Sequence, residues 1–81
     1  MPEVQWFNEV GKKQWAKTVD GQPLSDGVYM LPVGTHIIEY VDGSLTFFEV
    51  IAKDTFVPVY VQEGVKNIQK EIAIAKSSLG I

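Results

Sequence analysis

The sequence predicts an α+β fold, a four- to six-stranded antiparallel meander sheet with a C-terminal amphipathic helix packed on one face. Three observations predict it. Asp42-Gly43 sits between two apolar runs, His36 to Val41 and Leu45 to Ile51. An Asp-Gly pair in that setting is the strongest short-range hairpin signal, because a two-residue type I′ turn needs positive φ at both positions. From Gly64 onward the apolar period lengthens: Val65, Ile68, Ile72, Ala75 and Leu79 recur at helical spacings and form one stripe. Finally, 81 residues with 46% hydrophobic and 21% charged content fit one folded domain near the minimum size for a single core.

The elements follow in chain order. Val4-Gln5-Trp6-Phe7 and Gln14 to Val19 are short extended candidates separated by a loop over Asn8 to Lys13, so residues 1-19 form N-terminal strands or an irregular layer. Asp20-Gly21-Gln22-Pro23 and Ser25-Asp26-Gly27 are breakers, which predicts a surface loop from Asp20 to Gly27. The β-meander then occupies 28-61. Val28 to Leu31 is its first strand, and Pro32-Val33-Gly34 suits a three-residue hairpin with a glycine bulge into the His36 strand. Lys53-Asp54 is the next turn, leading into Thr55 to Val61. Pro58 has no N–H to give a ladder, so that strand belongs at an edge or carries a bulge. The helix is expected over 64-79, with Glu63 and Lys76 placed for its dipole and Gly80 to end it.

The Asp42-Gly43 turn also fixes register: Tyr40 opposes Leu45, Ile38 opposes Phe47 and His36 opposes Glu49. A two-residue Lys53-Asp54 turn sets Ile51 against Phe56, Glu49 against Pro58 and Phe47 against Tyr60. One face is then rich in aromatics: Met30, His36, Ile38, Tyr40, Leu45, Phe47, Ile51, Phe56 and Tyr60. The other holds Tyr29, Leu31, Ile37, Phe48, Val50, Val57, Val59 and Val61, with Glu39, Ser44 and Thr46 at one end. Neither face is polar, whereas a sheet with one face in water alternates apolar and polar residues. Both faces need covering. The aliphatic face is expected to take the helix, and the aromatic face to take Trp6, Phe7 and Trp15, or another chain.

Composition narrows the chemistry. The net charge is −3 and all seven basic residues are lysines, scattered rather than clustered, which argues against nucleic acid as a partner. Without cysteine there is no disulfide, zinc-thiolate site or thiol nucleophile. No histidine–carboxylate ligand spacing, calcium loop, phosphate-binding glycine loop or nucleophile elbow occurs. No cofactor, metal or catalytic residue is expected, and the chain is read as non-enzymatic. His36, the one histidine, and its cross-strand neighbour Glu49 are the alternative, a small-ligand-binding or catalytic pair; a register-fixing charge pair explains the same residues more simply. No secretory leader or apolar run of membrane-spanning length is visible, which predicts a soluble cytoplasmic protein with no membrane association.

The functional expectation is therefore a small protein-interaction module. It would act as an inhibitor, of the kind phages direct against host or defence proteins, or as an accessory subunit. Its partner-binding candidates are Tyr40, Phe47, Phe56 and Tyr60 on the aromatic face, with Ile74 and Ile81 on the outer side of the helix. Self-association into a homodimer would use the same surfaces.

Overall fold

A computed structural model describes all 81 residues. It contains β1 (Glu3–Trp6), β2 (Gln14–Thr18), β3 (Pro23–Leu24), β4 (Gly27–Met30), β5 (His36–Val41), β6 (Ser44–Ala52), β7 (Thr55–Gln62) and α1 (Ile68–Leu79). The fold is α+β, with seven antiparallel strands in two sheets and one C-terminal helix on the larger sheet. That sheet runs β3-β2-β5-β6-β7, and β1 and β4 pair apart from it as a two-stranded layer.

The hairpin at the centre forms as the turn chemistry requires. Asp42 and Gly43 both have positive φ, at 44° and 89°, and the register pairs Tyr40 with Leu45, Ile38 with Phe47 and His36 with Glu49. Lys53-Asp54 makes the next two-residue turn. Two irregularities interrupt the β6–β7 ladder. One falls where Phe47 pairs Tyr60 but Phe48 pairs Pro58, leaving Val59 extra on β7; the other leaves Ile51 extra on β6. Phe56 consequently opposes Val50 and Glu49 opposes Val57, a correction to the uninterrupted register. Because side chains alternate with a period of two, each bulge transfers residues between faces. Phe56 joins Trp6 and Phe48, and Ile51 turns out to solvent at 43% exposure.

The Val28 strand is not the first strand of the meander. It pairs with β1, matching Val4 with Tyr29 and Gln5 with Val28, while β5 takes β2 as its neighbour. Pro32 to Thr35 still turns, closed by the Thr35 amide on the Pro32 carbonyl, but it carries the chain between layers rather than forming a hairpin. The expected surface loop from Asp20 to Gly27 likewise contains β3, because Leu24 is its one large aliphatic residue and is buried against Trp6 and Ala16 in the first core.

Two cores result, one on each face of the large sheet. Val4, Trp6, Leu31, Ile37 and Val50 fill the first with Phe48 and Phe56, under the β1–β4 layer. Ile38, Tyr40, Leu45 and Phe47 fill the second, under Ile72 and Ala75 of α1. The helix thus covers the aromatic face and the N-terminal layer covers the aliphatic one, the reverse of the expected assignment. Trp6 does serve as a covering residue, but Trp15 lies beside the helix and Phe7 is exposed. α1 also starts later than its apolar stripe. Gly64 breaks the chain at φ 64°, Asn67 caps the helix by accepting the Lys70 amide, and Glu71 rather than Glu63 supplies the first-turn acid. Gly80, left-handed at φ 73°, ends it as the sequence indicates.

Candidate functional site

The large sheet ends in β7, whose sequence TFVPVYVQ contains no charged residue. Val57, Val59 and Val61 are 36%, 37% and 54% exposed, Val57 on the Glu49 side of the sheet and Val61 on the Thr46 side, and Ile51 on the neighbouring strand is also exposed. Natural edge strands are commonly protected by lysine, proline, bulges or short length. β7 has Pro58 and the bulge at Val59, which limit indiscriminate backbone pairing, but its side chains remain apolar. The opposite edge, β3, is only two residues long and buries Leu24.

The sequence-predicted partner residues separate into three groups. Phe47 is fully buried and Tyr40 nearly so, both beneath α1, so neither offers surface to a partner in this state. That is a correction: an aromatic stripe on one sheet face became core once the helix lay on it. Phe56 and Tyr60 are half-buried on β7. Tyr60 closes edge-on against Phe47, and its hydroxyl donates to Glu71 Oε1 at 2.5 Å, fastening β7 to the helix. This carboxylate holds the phenol proton in place and raises the Tyr60 pKa above its ordinary value. Ile74 is 45% exposed on the outer side of α1, and Ile81, which lies past the Gly80 cap rather than on the helix, is 48% exposed. Strict alternation places Val57, Val59 and Val61 on one covered face; the bulge that Pro58 signals moves Val57 and frees Val59, and Val61 is exposed by its place on the edge strand.

His36 and Glu49 do meet, with Nε2 and Oε1 3.4 Å apart. A cavity of about 420 Å³ opens beside His36, lined also by Thr18, Asp20 and Thr35, but Glu49 lies outside it. The two groups therefore do not converge on one pocket. No group of three metal-ligating side chains is present. No helix is long and apolar enough to cross a membrane.

A larger groove, about 750 Å³, lies on the helix side of the sheet between β2 and the start of α1. Trp15 and Lys17 project from alternate positions of β2, and Lys66 precedes the helix. No family model, curated protein or solved structure matches the chain.

Proposed function

We propose that the protein is a non-enzymatic interaction module that contacts another protein through β7, acting as an inhibitor or an accessory subunit. The observation that carries this reading is the uncharged edge strand itself, eight residues long with three exposed valines. Moving such a side chain from half-exposed to buried is worth about 1 kcal/mol, roughly half the value of full burial. Val57 pairs with Glu49 and Val61 with Thr46, so the exposed valines stand on opposite faces of the edge, and a partner that clasps the edge from both sides gains from each without a deep pocket. Ile51, exposed on the neighbouring strand, adds apolar surface near this edge, and Pro58 with the Val59 bulge gives the edge a shape that a generic strand cannot match. Selectivity then comes from fit to the bulged, apolar strip.

The test uses the intact chain as bait in lysate from its source cell, with Val57→Asp/Val61→Asp bait in parallel. Both sites are exposed, so the double variant should remain folded, as circular dichroism checks. The reading predicts a specific retained protein, or a second copy of the chain, that the double variant loses. Equal retention by both baits, or a monomer that retains nothing, contradicts it.

A further inference from the structure

The five-stranded sheet is wider than the single helix that covers it. α1 approaches β6 and β7 most closely, which leaves the helix-side surface of β2 as the floor of an open groove. Its walls are Lys66 ahead of α1 with Gln69 in its first turn, and Gly21 of the β2–β3 turn with Pro23 of β3. Trp15 lies on this floor, half-buried, with its ring stacked on Tyr40 at 5.8 Å between centroids and 16° between planes. Tyr40 thereby holds the indole in one orientation. The Lys17 ammonium stands 5.5 Å from the Trp15 centroid, within cation–π range.

Charge is segregated here. The chain has ten acidic residues against seven basic ones, yet the groove is lined by two lysines and no aspartate or glutamate. Asn67 already caps the helix by accepting the Lys70 amide, so the lysines set the charge preference of the groove. An oriented indole supplies a flat apolar surface, and ammonium groups beside it supply attraction for an anion.

We propose that this groove binds a small planar aromatic anion, with its ring against Trp15 and its phosphate or carboxylate held by Lys17 and Lys66. The ring displaces water from the indole, and Lys17 swings from above the indole to the anionic group. A mononucleotide has this combination of parts. The groove lies toward the β2–β3 end of the sheet, away from β7, so this proposal and the proposed partner surface stand or fall separately.

Adenosine 5′-monophosphate is the probe, followed by proton–nitrogen NMR of the full chain. Two tryptophans give two indole signals, and Trp6, buried in the other core, is an internal control. The Trp15 signal should shift saturably while the Trp6 signal stays fixed. Adenosine, which lacks the anion, and inorganic phosphate, which lacks the ring, should each bind at least about tenfold more weakly, the scale set by losing one of two cooperating contacts. Lys17→Met with Lys66→Met should weaken the nucleotide by at least about tenfold with dispersed backbone signals retained, since each exposed charge contact contributes modestly. No saturable Trp15 shift up to about 10 mM, beyond ordinary weak binding, overturns the proposal. So does equal binding of adenosine and the monophosphate, or unchanged binding by the double variant.

Discussion

Ile72→Ala tests the attachment of the helix to the sheet. Ile72 is 6% exposed and belongs to the core formed with Ile38, Tyr40, Leu45 and Phe47. Truncating a buried isoleucine costs about 2–5 kcal/mol, depending on how far the surroundings close the cavity. α1 is an outer layer able to settle toward the sheet, so the loss should lie near about 2–3 kcal/mol. For 81 residues the whole stability is on the order of 4–12 kcal/mol. The change therefore removes a large fraction of it. With a denaturant slope of roughly 1 kcal/mol/M in urea for a domain this small, the unfolding midpoint should fall by about 2–3 M. Ile74→Asp is the companion measurement. Ile74 is 45% exposed on the same helix, and an exposed substitution away from caps and pairs usually stays within about 0.5 kcal/mol. If Ile72→Ala shifts stability by less than about 0.5 kcal/mol, the helix is not packed as described. If Ile74→Asp is equally damaging, the helix is buried on two sides.

Three further outcomes follow from particular residues. Gly43→Val should cost about 1–2 kcal/mol in a thermal or urea melt, because a β-branched residue is strained at φ 89°; unchanged stability would remove the type I′ turn and its register. Trp6→Phe should cost no more than about 1 kcal/mol, since it loses ring area but also removes a buried indole N–H without an acceptor, whereas Trp6→Ala should cost about 3–5 kcal/mol; equal losses would contradict that offset. Burial raises the Glu39 carboxyl pKa, opposed by the Gln14 hydrogen bond and assisted by Glu9. The folded state therefore holds this proton more tightly than the unfolded chain, and stability falls as pH rises from the ordinary carboxylate range through the raised value. Glu39→Gln should flatten that fall and stabilise the protein at neutral pH more than at pH 4, read by melts across pH; a larger gain at pH 4 would reverse the sign.

Local chemistry made the β5–β6 hairpin and the helix legible. Asp42-Gly43 admits few backbone solutions, and the stripe Ile68, Ile72, Ala75 and Leu79 has one period, so turn, register and helix face follow from neighbours in sequence. The pairing of β4 was not legible in that way. Pro32-Val33-Gly34 favours a turn, but a turn does not choose which strand lies beside the next one: β2 takes the place beside β5, and β4 pairs with β1 instead, in the layer packed around Trp6. The choice of covering layer was hidden for a related reason: both sheet faces are apolar, so hydrophobicity alone cannot tell the helix from the N-terminal layer. Val59 and Ile51 show the last limit. Each is an extra residue in a bulge, and a bulge is decided by cross-strand fit while altering the facing of residues beyond it. That is how Val57 changes face and Val59 is left unpaired, while Val61 keeps its Thr46 partner and is exposed because β7 is the edge strand.

Cross-linking from β7 tests the central claim most directly. A photoreactive phenylalanine analogue at Val61, 54% exposed on the edge strand, is compared with the same analogue at Val10, 99% exposed in the loop between β1 and β2. Irradiation is carried out in source-cell lysate and again on the purified chain, and adducts are identified by mass. The account predicts one dominant adduct from Val61, with a distinct protein or a second copy of the chain, and none of that mass from Val10. Adducts of equal identity and yield at both positions, or none at Val61, would contradict a contact surface on β7.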